Sequence, residues 1–96
     1  MESILSKLEG MAERLRVLGH PVRIQILLEL DEGSKNVGEL TELLGIAQPT
    51  MSQHLSILRS QGWVVKQRRA LHAYYALASE GVTIMLKQLH VTMEQD

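Results

Sequence analysis

Six residues of the run GIAQPTMSQHLSILRSQG, Gly45 to Gly62, could act together: Gln48, Thr50, Ser52, Gln53, Ser56 and Arg59. None is acidic. They offer amides that donate and accept at once, hydroxyls that bond either way, a methyl group and a guanidinium. Those groups suit base edges and phosphates: Gln matches adenine, Ser and Thr bond several bases, and a threonine methyl touches thymine. A helix that only has to be solvated usually carries Glu and Lys. Met51, Leu55 and Leu58 fall at i, i+4 and i+7 and predict a helix over 48–61 with these three inward. Ser52, Gln53 and Ser56 then point outward, Gln48, Thr50 and Arg59 lie on the flanks, and His54 stands at the border of the apolar stripe.

The charge pattern agrees. The chain has 96 residues and a net charge of −1. Residues 45–78 nevertheless hold Arg59, Lys66, Arg68 and Arg69 and no acid, while the flanking segments are net acidic. A basic third within an acidic chain is the electrostatic footprint of a nucleic-acid face. Lys66, Arg68 and Arg69 would grip phosphate or enter a minor groove.

Other chemistries find little support. Ser52 and His54 stand at i and i+2, which do not face each other on a helix, and no acid in that segment orients the histidine. There is no phosphate-binding glycine loop and no complete metal set, so no enzymatic activity is expected. The absence of cysteine excludes disulfides, thiolate metal sites and thiol-based sensing. His90 and Glu94, at i and i+4, are weak candidates for a metal, one pair from each of two subunits. No cofactor is expected. His20 reads as a turn residue before Pro21, and His72 as wing surface that either touches DNA or lies idle. Arg23 reads as a buried hydrogen-bonding hub, with a phosphate contact as the alternative.

The elements that position these residues follow from periodicity. Ile4, Leu8, Met11, Leu15 and Leu18 mark a first helix over 2–18. The segment after Pro21, PVRIQILLELDEG, is apolar nearly all round and reads as the central helix, stopped at Gly33. Asn36 with Glu39 three residues on caps a short third helix, whose inner face is Val37, Leu40, Leu43 and Leu44 and whose end is Gly45. Residues 63–77 are rich in β-formers and read as two strands joined near Arg68-Arg69-Ala70. Leu71, Ala73, Tyr75 and Leu77 share one face of the second strand, with Trp63 and Tyr75 in the core and Tyr74 opposite. Ser79 opens a last helix carrying Val82, Met85, Leu86, Leu89 and Met93. The expected fold is mainly α with a small β-hairpin, in the order α-α-α-α-β-β-α: a winged helix-turn-helix forming one domain over 1–96.

These residues carry a resemblance. LGHPVRIQILLEL, NVGELTELLGIAQPTMSQHLSILRSQGWV and the closing YYAL resemble the ArsR/SmtB family of winged-helix bacterial repressors. The resemblance implies a homodimer that binds a palindromic operator in double-stranded DNA, represses transcription and is released by a signal. It implies a dimer interface on the first and last helices, here Ile4, Leu8, Met11, Leu15, Met85, Leu89 and Met93. It also implies that His54 supports the recognition helix or faces phosphate. Many members sense metals, through cysteines in the third helix or through an Asp-x-His pair and a later His with an acid in the last helix. Here the cysteines and the first pair are absent, and only His90 with Glu94 matches. KQRRALH also lacks the glycine often found at the wing turn, which leaves the turn type open.

The sequence thus predicts a DNA-binding regulator in the cytoplasm, with no membrane segment and with an unidentified small-molecule or protein inducer, if any. The alternatives are a winged-helix interaction module that no longer binds DNA, and a metal-responsive repressor using His90 and Glu94.

Overall fold

In the computed structural model, which describes residues 3–94, the chain forms five helices and a three-stranded sheet. They are α1 (Ile4–Val17), α2 (Pro21–Asp31), β1 (Lys35–Asn36), α3 (Val37–Leu44), α4 (Gln48–Ser60), β2 (Val64–Arg69), β3 (His72–Leu77) and α5 (Glu80–Glu94). The helix start expected at residue 2, and the outer ends of the single domain expected over 1–96, lie outside the described residues.

Local chemistry sets the boundaries. The Asn36 side chain accepts the Glu39 N–H at 2.8 Å, and Glu39 Oε1 accepts the Asn36 N–H at 3.1 Å. This reciprocal box satisfies two otherwise orphan donors at the start of α3. Gly45 ends α3 with φ 67°, a left-handed conformation that costs glycine nothing. His20 caps α2, its Nδ1 accepting the Val22 N–H at 3.2 Å, with Pro21 in the first turn. At the head of α5, the Ser79 carbonyl accepts the Val82 N–H at 3.1 Å.

The sheet order is β1-β3-β2, antiparallel throughout. β1 adds a strand that periodicity did not reveal, since two residues carry no pattern. It pairs Lys35 with Tyr75 and Asn36 with Tyr74, tying the entry of α3 to the wing. The core gathers Ile26, Leu27, Leu30, Leu40, Met51, Leu55 and Leu58 with Trp63, Val64, Tyr75, Val82 and Leu86.

Two expectations, those for Leu43 and Leu71, need correction. Leu43, expected on the inner face of α3, is exposed, because α3 is covered on one side only. Leu71, expected on the second strand, sits in the two-residue turn with Ala70 and is 87% exposed. Of the helix α1 residues, Val17 alone is buried; Ile4, Leu8, Met11 and Leu15 all face solvent. α5 divides similarly: Val82 and Leu86 are buried, Met85 is half-buried, and Leu89 and Met93 are exposed. The radius of gyration, 14.4 Å, exceeds the roughly 12.5 Å of a compact domain of this length. The isolated chain therefore leaves apolar helix faces uncovered.

Candidate nucleic-acid interface

α4 is built to present its polar side. Met51, Leu55 and Leu58 are fully buried and fix its rotation about its own axis. Gln48, Thr50, Ser52, Gln53, Ser56 and Arg59 are all exposed, as the spacing predicted. The helix has no acid in its first turn, and Ala47 at its N-cap offers no side-chain cap. The amides of that turn keep their positive potential beside Gln48 and Thr50.

His54 differs from its neighbours. It is half-buried, and its Nδ1 accepts from Arg23 Nε at 3.2 Å. Its ring meets the His20 ring edge-on, with centroids 4.7 Å apart. Burial, then the His20 and Arg23 charges, pull its pKa below the usual 6.5. A second Arg23 nitrogen donates to the Val17 carbonyl at 3.2 Å. Arg23 is thus a hub joining the end of α1, the first turn of α2 and the recognition helix, and His54 serves that hub.

A second tie was invisible in the sequence. Trp63 Nε1 donates to the Arg14 carbonyl at 2.9 Å, and the Arg14 guanidinium lies 4.9 Å from the Trp63 ring centroid. Arg14 Nε also donates to the Gln61 carbonyl at 2.9 Å. One residue of α1 thereby anchors the end of α4 to the root of the wing. The partners are 47 and 49 residues away, so spacing gives no hint of them.

The wing divides its cations between two faces. Register pairs Lys66 with Tyr75, Gln67 with Tyr74, Arg68 with Ala73 and Arg69 with His72. Side chains alternate along a strand, so Lys66 and Arg68 share the Tyr75 face while Arg69 joins Gln67, His72 and Tyr74. Lys66 Nζ lies 5.9 Å from the Tyr75 ring, and the Arg69 guanidinium lies 5.5 Å from the Tyr74 ring. Among the described residues none of Arg59, Lys66, Arg68 or Arg69 has an acidic partner, so their charge is open to an external anion. The turn without glycine is closed by Ala70, whose φ is 53°.

His90 Nε2 lies 2.9 Å from Glu94 Oε1, with both side chains well exposed. Among the described residues no group of three His, Asp or Glu side chains is placed to hold a metal ion. No helix among them is long and apolar enough to cross a membrane.

Comparison with known proteins decides the family. Residues 20–66 match the family described as "Bacterial regulatory protein, arsR family". The biofilm growth-associated repressor of Xylella fastidiosa is 35% identical over 89 residues, covering 93% of this chain and 78% of that protein. The chain belongs to the ArsR family. The transcriptional activator HlyU of Vibrio cholerae is 37% identical over 76 residues, covering 79% of this chain and 70% of that protein. The solution structure of a homodimeric winged helix-turn-helix DNA-binding domain from Mycobacterium bovis, from a possible ArsR-family regulator, superposes with a TM-score of 0.90. It is 27% identical, over 99% of this chain and 90% of that one.

Proposed function

We propose that this ArsR-family chain is a dimeric transcriptional repressor that binds a palindromic operator. Helix α4 enters the major groove, where Gln48, Thr50, Ser52 and Gln53 on its N-terminal half meet base edges, and Ser56 and Arg59 meet the flanking backbone. Lys66 and Arg68 on one face of the wing, and Arg69 on the other, neutralise phosphate or enter the adjacent minor groove. His54 contributes by holding the helix in place. The single observation that carries this reading is the α4 surface: six exposed polar or basic residues and no acid, above three fully buried apolar ones.

The exposed apolar faces of α1 and α5 support the dimer. Ile4, Leu8, Met11 and Leu15, with Leu89 and Met93, form stripes that one chain leaves in water. Pairing two chains about a two-fold axis covers them and sets two α4 helices roughly 34 Å apart, one helical turn of DNA. Selection from a random DNA library tests this. The account expects recovered sites to be inverted repeats with half-sites about one turn apart. Enrichment of unrelated or single sequences would contradict it.

A further inference from the structure

The hairpin of β2 and β3 projects from the core. Val64 at its root is buried, and Val65 to Arg69 are all exposed, a span of about 17 Å at the rise of a strand. Arg69 pairs with His72, so the turn holds Ala70 and Leu71 alone. Leu71 is 87% exposed, the most exposed large hydrophobic among the described residues. Ile4 and Met93, next at 75%, lie on the α1 and α5 stripes that a second copy covers in the dimer; Leu71 belongs to neither stripe. A lone exposed leucine is ordinary on a protein surface. This one stands beside Arg68 and Arg69, which lie on opposite faces of the ribbon and have no acidic partner among the described residues. An apolar point with a cation on either side matches a minor groove, where phosphates line both walls and stacked bases form the floor.

We propose that Leu71 is an apolar wedge that enters the minor groove beside each half-site and opens one base step, an inference that rests on the operator-binding reading. The minor groove is about 6 Å wide. The ribbon, with two backbones about 4.8 Å apart and side chains on both faces, is too broad to enter it. A single leucine with only Ala70 beside it is not. Arg68 and Arg69 then hold the phosphates of the two walls. Unstacking a step from the minor-groove side bends the duplex toward the major groove, which holds α4. The consequence is specificity without a hydrogen bond to a base. TA and CA/TG steps unstack easily and an A-tract is stiff, so each wing tip selects a flexible step that α4 does not touch.

The test uses the full chain on an operator recovered by selection from random DNA, with 2-aminopurine placed in turn at each step flanking the half-sites. The fluorescence of this base rises when it unstacks. The expected result is a rise of about twofold or more at one step on each flank. Leu71→Ala, at a position that packs against little, leaves the fold intact, abolishes the rise and weakens operator binding about tenfold. Its salt slope is unchanged, because no charge is lost. Leu71→Met, another side chain that serves as a wedge, keeps the rise. Replacing the flexible step by an A-tract weakens the unaltered chain more than Leu71→Ala. No rise at any flanking step, or a rise that persists in Leu71→Ala, overturns the wedge and leaves the operator reading standing. Failure of the unaltered chain to select any DNA overturns both.

Discussion

Arg23 Nε donates to His54 Nδ1 across 3.2 Å, joining α2 to the half-buried edge of the recognition helix. The same guanidinium holds the Val17 carbonyl, so three elements meet at one side chain. Arg23→Ala removes both bonds and leaves partly buried acceptors without a donor. A loss of about 1–3 kcal/mol in unfolding free energy is expected by chemical denaturation. An unchanged midpoint would contradict the hub.

The burial of His54, with the His20 and Arg23 charges adding to it, makes stability depend on pH. The folded protein keeps His54 neutral below the pH at which the unfolded chain takes up its proton. Between the lowered folded pKa and the unfolded value near 6.5, the unfolded state binds more protons, so stability rises with pH. Acidification from about pH 7 to about pH 5 should therefore cost stability in part through this group. His54→Gln should flatten that part of the profile. A profile that His54→Gln leaves unchanged would show that His54 does not contribute.

Base reading and charge neutralisation separate by experiment. Ser52→Ala and Gln53→Ala should weaken binding to the operator more than binding to random DNA, by about 1–3 kcal/mol for a lost bidentate contact. Equal losses on both would remove these residues from base recognition. Arg68→Ala should weaken both alike and reduce the salt slope by about one. An unchanged slope would place Arg68 off the backbone.

Ala70 closes the wing turn with φ 53°, a conformation that strains a residue bearing a Cβ. Ala70→Gly removes the strain but adds freedom to the unfolded chain. A net gain of about 0.5 kcal/mol is expected in thermal unfolding. A loss would mean the turn is not strained.

Leu8→Glu or Leu89→Glu puts charge into the apolar stripes of α1 and α5. Light scattering should show monomers, and operator affinity should fall as the second half-site contact is lost. A variant that remains dimeric would place the interface elsewhere.

The legible parts of this chain are those whose causes are local. The Asn36–Glu39 box, the left-handed Gly45 and the Met51/Leu55/Leu58 stripe each depend on residues within one or two turns, and each stands where its spacing put it. β1 was hidden because two residues cannot show a period, and it exists because β3 offers it an edge. Leu71 continued the strand alternation, but a two-residue turn removed it from the sheet. The apolar stripe of α1 told of an apolar surface without saying that Val17 alone would enter the core of this chain. On the candidate interface, the exposed residues of α4 follow from helical geometry alone. The division of Arg68 and Arg69 between opposite wing faces follows from the register, and the Arg14–Trp63 tie from the tertiary fold.

The most direct test is a fluorescence-anisotropy titration of the chain on the DNA upstream of its own gene, against a scrambled duplex, over a range of salt concentrations. The account predicts tight, salt-sensitive binding to the natural sequence, with scrambled DNA bound at least about a thousandfold more weakly. Equal affinity for the operator and for scrambled DNA, at selected as well as native sites, would contradict it.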